Sequence, residues 1–390
     1  MQVTISVAGR FHAFYLAQQL LKRGYLNRLI TSYPKFEVEK YGIPKTKVSS
    51  VIIKEIMTRG WEQSKLNRIY NSQYLIKEIY DYWASLIYEA SDICVAWSGN
   101  ALHTIRKAKN MGAITILERG SSHMLYQTEI LKEEYEKLGL KPQVAHPRVV
   151  EKELREYEEA DYISIPSKFV KRTFLEKGIP EEKLVHVPYG VNLEEFKQLQ
   201  KEDNVFRIIY AGSMSVRKGV HYLLKAYTDL KLPNSELLLV GGLEDEMKPF
   251  FRKYEDNFKY INHVPQRDLH KYYSQGSVFA IMSIEEGLAM VQPQAMACGL
   301  PVICTSNTGG EDIIRDGIDG FIIPIRNVEA LKEKLIFLYQ NPEICKAMGQ
   351  SAKERVSKGF TWDDYGDKMI GEYMRVFGKT KLNVNCHAKV

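Results

Sequence analysis

Short apolar runs separated by amphipathic stretches recur along all 390 residues. Gln2 to Val7, Ile93 to Trp97 and Ile114 to Glu118 are such runs in the first half. Phe206 to Ala211, Glu236 to Val240, Tyr260 to Val264, Val278 to Met282 and Leu300 to Thr305 follow in the second. They are continuous rather than alternating in hydrophobicity, which predicts strands buried on both faces of parallel sheets. Between them apolar residues return at helical spacing. Phe14, Ala17 and Leu21 precede Gly24, and Val220, Leu223, Leu224 and Tyr227 follow Gly219. Strands alternating with helices predict an α/β architecture. A chain of this length exceeds one ordinary core, so two domains are expected, with the polar run from Lys197 to Asn204 as linker. Helices dominate from Val328. The last begins at Phe360-Thr-Trp362 and carries Tyr365, Met369, Tyr373 and Phe377 at helical spacing. The polar tail from Lys379 to Val390 is predicted to fray.

The stretch from Ser283 to Pro324 holds the densest chemistry. After the strand ending at Met282 come Glu285-Glu286-Gly287, then a helical segment that tolerates Pro293 only in its first turn. Gly299 supplies a helix stop before the next strand. The acidic loop and the helix start therefore lie at the carboxyl edge of a parallel sheet, where open α/β sheets bind ligands. Backbone N–H groups at Leu288, Ala289 and Met290 suit a diphosphate, and Glu286 beside them suits sugar hydroxyls as a charged acceptor. Two further loops follow strands in the same way. Ala8-Gly9-Arg10 leads into the first helix, and Gly212-Ser213-Met214-Ser215-Val216-Arg217-Lys218-Gly219 leads into another. Lys218 and Arg217 oppose the helix dipole there, which favours an anion between them.

Composition changes this picture little. Hydrophobic and charged residues, 45% and 26%, are ordinary for a globular protein, and no run approaches the roughly 18 apolar residues of a membrane span. Met1 passes straight into a strand, which reads as the absence of a signal peptide. The five cysteines are scattered without metal-ligand spacing, which suits a reducing, cytoplasmic setting. The net charge of +6 is unevenly spread: residues 1–190 hold 28 Lys and Arg against 22 Asp and Glu, and the rest 26 against 26. A basic first half suits an anionic acceptor or the inner face of a membrane, or is simply a solvated face. The Tyr-rich stretch over residues 50–92 reads as helices packed on the first sheet, or as an aromatic acceptor groove.

Ser283, Glu286, Gly287, Gln294-Ala-Met-Ala-Cys-Gly299, Pro301 and Val302 resemble the donor-site signature of the retaining glycosyltransferases of family 4, also called glycosyltransferase group 1. Landmarks from Ala160-Asp161 through Gly178-Ile-Pro180 and Gly190-Val191 to Phe196 extend the resemblance over roughly residues 155–365. It implies the GT-B fold: α/β, two Rossmann-like domains with a C-terminal helix crossing back to the first. Residues 1–195 would then bind the acceptor, 196–365 a nucleotide-sugar donor, and 366–390 would form the returning helix and tail. The implied activity is a retaining, metal-independent transfer from a nucleoside diphosphate sugar, with no cofactor and no Asp-x-Asp metal pair.

By position in the motif, Glu286 would contact the transferred sugar. Gln294 stands where the family has a second glutamate for the ribose hydroxyls. Lys218 would neutralise the diphosphate. Ser213 stands where the family has an arginine, a charge that Arg217 would replace. Gly9 and Arg10 would approach the donor phosphate or the acceptor. Val264-Pro265-Gln266 would border the base, and His123 would reach the sugar from the first domain, a place Glu118 or Arg119 also fits. Partners implied are a nucleotide-sugar donor and a hydroxyl acceptor, anionic or lipid-linked, and no nucleic acid. The neutral Gln294 and Ser213 leave open a non-catalytic nucleotide-sugar-binding relative, and a different GT-B enzyme such as an epimerase is a third reading.

Overall fold

The computed structural model describes residues 1–55, 57 and 73–387. Seven strands form the first sheet: β1 (Val3–Val7), β2 (Leu26–Thr31), β3 (Val48–Ser50), β4 (Ile93–Trp97), β5 (Ile114–Glu118), β6 (Tyr162–Ile165) and β7 (Leu184–His186). Six form the second: β8 (Phe206–Ala211), β9 (Ser235–Val240), β10 (Lys259–Ile261), β11 (Val278–Ile281), β12 (Val302–Thr305) and β13 (Gly320–Ile323). The orders are 3-2-1-4-5-6-7 and 10-9-8-11-12-13, with every neighbouring pair parallel. Strand order thus reverses beside β1 in one sheet and beside β8 in the other. Those two switch points are where doubly wound sheets open a crevice. All residues of β1, β4 and β5 are buried, as expected for strands covered by helices on both faces.

The continuous apolar runs become strands at nearly their predicted bounds. One is shorter: β10 ends at Ile261, so Val264 lies in the loop beyond it. Pro293 falls at the third position of the helix Val291–Ala297, inside the first turn. Of the Tyr-rich stretch, residue 56 and residues 58–72 lie outside the described residues. The helix Gln73–Leu86 packs Tyr80 and Ala84 inward and leaves Tyr82, Trp83 and Leu86 exposed. Among the described residues no helix is long and apolar enough to cross a membrane.

The last helix, Trp362–His387, returns to the first domain. Trp362 stacks on Tyr15 with ring centroids 4.1 Å apart, and Asp363 and Asp367 pair with Lys22, the last residue of the helix Ala13–Lys22, and with Arg23, which caps it. Helix geometry continues through the tail expected to fray and reaches His387, because no proline follows Trp362 to stop it.

The domains also meet directly. Glu134, fully buried on the helix Met124–Lys137, accepts from His221 at 3.1 Å, Tyr222 at 2.7 Å and Arg326 at 2.5 Å, all on the second domain. These partners outweigh burial and hold its carboxyl below the usual range. Glu133, one residue earlier and half-exposed, shares Arg326. Removing one partner of a buried charge network leaves the others unpaired. Glu134→Ala is therefore expected to cost about 3 kcal/mol in urea denaturation. Glu133→Ala should cost under about 1 kcal/mol. Equal effects would show that the interface does not depend on the buried carboxylate.

Candidate active site between the two sheets

A cleft of about 640 Å³ lies between the carboxyl edges of the sheets. On the second-domain side, the chain leaving β11 is fixed by backbone and side-chain bonds to the loop after β12. Thr305 donates to the Ser283 carbonyl at 2.6 Å, Asn307 to the Ile284 carbonyl at 3.0 Å, and the Glu286 amide to the Asn307 carbonyl at 2.9 Å. Glu285 turns in and is fully buried, whereas Glu286 lines the cleft.

Glu285 bridges the domains. It accepts from the Ser122 amide at 2.9 Å, the Ser122 hydroxyl at 2.7 Å and Gln127 at 2.7 Å on the first domain, and from Arg217 at 2.9 Å on its own. Burial alone would raise this carboxyl, but Arg217 and these bonds outweigh it and hold Glu285 at about 2. Arg217 also reaches the Ser121 hydroxyl at 3.3 Å and lines the cleft. Lys218 pairs with Glu286. Burial and neighbouring Arg217 press its ammonium down to about 7, against the pull of Glu285.

Two glycines fix this arrangement. Gly219 caps the helix Val220–Leu230 at φ +63°, and a Cβ there would overlap the Met282 carbonyl, so the lysine-glycine pair is demanded by packing against β11. A Cβ on Gly287 would overlap the Gly120 carbonyl across the domain boundary, and its own carbonyl accepts from Ser167 at 2.6 Å.

The remaining expected residues divide. Leu288 and Met290 line the cleft. The Ala289 amide donates to the Thr308 carbonyl at 3.1 Å. Gln294 is buried in its helix away from the cleft, with its Oε1 lacking a partner. A neutral amide occupies such a place at less cost than a lone carboxylate. Gly212 and Ser213 sit at the sheet edge outside the cleft lining, with the Ser213 carbonyl taken by Tyr210 at 2.8 Å. Val264 packs half-buried against the core, and Gln266 of the same loop bonds Tyr15 of the first domain.

On the first-domain side the loop after β1 presents Ala8, Phe11 and His12 to the cleft, not Gly9 and Arg10. Gly9 gives its carbonyl to Thr31, and Arg10 turns outward to Tyr41. Phe11 holds φ +40° and is 64% exposed at the cleft mouth. His12, buried, has Nε2 3.2 Å from Glu118 at the end of β5 and meets the Tyr189 ring in a tilted contact, with centroids 4.2 Å apart. Arg119 follows, buried, and its charge is met by Glu153 at 2.7 Å, with Ser122 and Gln127 taking its other donors. Glu118 and Arg119 line the cleft; His123 does not. The His123 ring caps the helix Met124–Lys137 by accepting from the Leu125 amide at 3.3 Å, between Tyr157 and Phe174. Burial and nearby Arg119 lower it to about 4, so it stays neutral.

Since Glu285 is held near 2 in the folded chain against an ordinary value of about 4.3, its stabilisation is complete above pH 4.3 and lost as pH falls towards 2. Glu285→Gln is expected to lower stability by about 3 kcal/mol at pH 7, with the difference from the parent closing as the pH approaches 2. A pH-independent difference in denaturation midpoints would remove the carboxylate from this role.

Residues 191–355 match the family model described as glycosyl transferases group 1. An uncharacterized glycosyltransferase of Methanocaldococcus jannaschii is 26% identical over 235 residues, 57% of this chain and 59% of that protein. The chain spans between about half and three-fifths of the length of the curated relatives it matches. In three dimensions it is similar to sucrose-phosphate synthase of Thermosynechococcus elongatus, with 17% identity, TM-score 0.73, and coverage of 97% of this chain and 100% of that one. It is also similar to HepE of Anabaena, solved in complex with UDP and glucose, with 13% identity, TM-score 0.69 and coverage of 96% and 100%. The two doubly wound domains thus share the GT-B fold of these structures, and residues 191–355 of the second are similar to the glycosyl transferases group 1.

Proposed function

We propose that this chain is a retaining, metal-independent glycosyltransferase that moves a sugar from a UDP- or GDP-sugar to a hydroxyl of a glycan, lipid-linked or small-molecule acceptor. The observation that carries the reading is the juxtaposition of Arg217, Lys218 and Glu286 at the switch point of the second sheet, facing His12 and Arg119 of the first. HepE, which shares the fold, is solved with UDP and glucose in place. Among the described residues four cysteines are free and buried, which suits a reducing compartment, and the reading places the chain in the cytoplasm, with the basic first domain at the inner membrane face.

Cleavage of the bond between sugar and diphosphate leaves negative charge on the phosphate and positive character on the sugar. In the free chain the Lys218 amine lies against the Glu286 carboxylate. An arriving diphosphate takes over Lys218, and Glu286 is released to accept from the sugar hydroxyls. Arg217, held by Glu285 and Ser121, adds a fixed positive charge, and Leu288 and Met290, which line the same space, would offer their amides. The bond from C1 to the diphosphate oxygen breaks, the acceptor oxygen bonds C1 on the same face, and the hydroxyl proton passes to the departing phosphate. No side chain is required as nucleophile. His123 contributes by anchoring the loop that carries Arg119 and Ser122, through its amide bond to Thr173 at 3.0 Å. The loop Val264-Pro265-Gln266 borders the base through its backbone.

In EDTA, one of UDP-, GDP- or ADP-sugars is expected to bind with submillimolar Kd and to hydrolyse slowly, with retention of anomeric configuration by NMR. Glu286→Ala should cut that hydrolysis about 100-fold. Absence of binding by every donor, or an inverted product, would overturn the reading. Because Lys218 lies near 7 when the site is free, donor binding at pH 8 should also take up a proton. Calorimetry in buffers of different ionisation enthalpy reads this uptake, which should vanish below pH 6 and in Lys218→Arg.

A further inference from the structure

A second cavity, about 270 Å³, opens beside the main cleft in the first domain. It is a groove between two helices. Tyr74, Lys77 and Glu78 of Gln73–Leu86 form one wall, and Arg148, Lys152 and Arg155 of Pro147–Glu159 form the other. Positions 148, 152 and 155 share one helix face at spacings of four and three. Like charges at those spacings destabilise a helix, so a stripe of three bases there asks for an anion to offset it.

The acids on hand do not supply one. Glu78 is engaged by Lys152 at 2.8 Å and by His103 at 3.1 Å, and Lys152 is further held by buried Asp81 at 2.8 Å. Glu151, the other acid of the groove, makes no ion pair with a described residue. Lys77, Arg148 and Arg155 likewise make no ion pair with a described residue. Arg148 spends one donor on the Tyr74 hydroxyl at 2.9 Å, with its guanidinium 4.9 Å from that ring, and His146 stacks on the ring's other neighbourhood at 5.1 Å. This contact holds a planar guanidinium at the groove with donors beyond the one spent on Tyr74, the group that binds phosphate in two-pronged fashion. Lys77 lines both cavities, and the chain between them carries no side chain at Gly99, where a Cβ would lie 2.8 Å from the Lys77 ammonium and 3.0 Å from Glu153 Oε1.

We propose that this groove binds a phosphate or diphosphate group of the acceptor, through Lys77, Arg148 and Arg155, and thereby presents the acceptor hydroxyl to the adjoining cleft. The acceptor is then a phosphorylated molecule, either a soluble sugar phosphate or the headgroup of a lipid carrier. The acceptor role rests on the transferase reading above; anion binding at the groove does not.

The test titrates inorganic pyrophosphate into the full chain by calorimetry, alone and with saturating UDP, using the parent and Arg148→Gln/Arg155→Gln. One pyrophosphate is expected to bind in the presence of UDP. The double variant should lose at least tenfold in that affinity while its thermal midpoint and its UDP affinity stay as in the parent. Complete competition by UDP, or unchanged pyrophosphate binding in the double variant, overturns the proposal. A lack of UDP binding with pyrophosphate still lost in the variant would instead sink the donor reading and leave the anion groove standing. Glucose 6-phosphate in solution and vesicles of phosphatidylglycerol against phosphatidylcholine separate the sources. Arginine-dependent binding of the sugar phosphate assigns a soluble acceptor, arginine-dependent binding of the anionic vesicles assigns a lipid one, and binding of neither overturns the acceptor role. Lys77→Gln, which lies between the cavities, should weaken pyrophosphate as well; no change there would remove the link to the cleft.

Discussion

A single carboxylate without solvent, Glu285, sets the geometry of this molecule's working edge. A buried charge is tolerated only when its donors are in place, and here they come from both domains: Ser122 and Gln127 from one, Arg217 from the other. Satisfying that charge aims Arg217 and seats the Ser122 loop that carries Arg119. It also turns the next residue, Glu286, into the cleft. The contact of Gly287 with the Gly120 carbonyl follows from the same approach, since only a residue without Cβ lets the two loops come that close. Charge satisfaction and backbone packing therefore define one position of the domains, and the cleft is what remains between them.

Glu134 repeats the device in the opposite direction, with an acid of the first domain received by His221, Tyr222 and Arg326 of the second. An interface carried by hydrogen-bonded charges differs from one carried by apolar surface. When it opens, water replaces the lost partners, so the change in free energy is smaller than the strength of the individual bonds suggests. Such an interface specifies a closed geometry and still permits separation, which suits a site that must admit one substrate to each side.

The fold was legible because parallel strands buried on both faces leave continuous apolar runs, and those runs do not depend on distant residues. Within the site, Glu286, Arg217 and Lys218 were legible for a similar reason: each sits at a fixed offset from its own strand. The first-domain lining was not. Whether Gly9 and Arg10 or Phe11 and His12 face the cleft depends on a turn in which one position reverses a side chain, and the positive φ of Phe11 is set by its surroundings. His123 and Arg119 lie on one loop, and their division of labour arises from contacts with Tyr157, Phe174 and Glu153 far along the chain. Ala289 illustrates a further limit. Its amide looked free from the helix start alone, but a carbonyl nineteen positions on, at Thr308, takes it. The Glu285 bridge escaped notice because its partners lie 158 and 163 positions away.

The uneven charge along the chain acquires a physical sense from these placements. The second domain is neutral in sum, yet concentrates Arg217 and Lys218 at one sheet edge and sets Glu285 and Glu286 against them. Its cations are therefore matched internally, and in the proposed reaction a diphosphate displaces one of the acids. The first domain carries the excess of bases, and at the groove beside the cleft that excess is not matched by carboxylates of equal number. One edge is thus balanced and exchangeable, the other unbalanced and waiting. An anion that must arrive and leave as a product of each cycle is best met by the exchangeable kind, because a full uncompensated charge would hold the spent diphosphate too tightly. A partner bound through a group remote from the reacting atoms gains from the unbalanced kind, since its affinity need not change as the reaction proceeds.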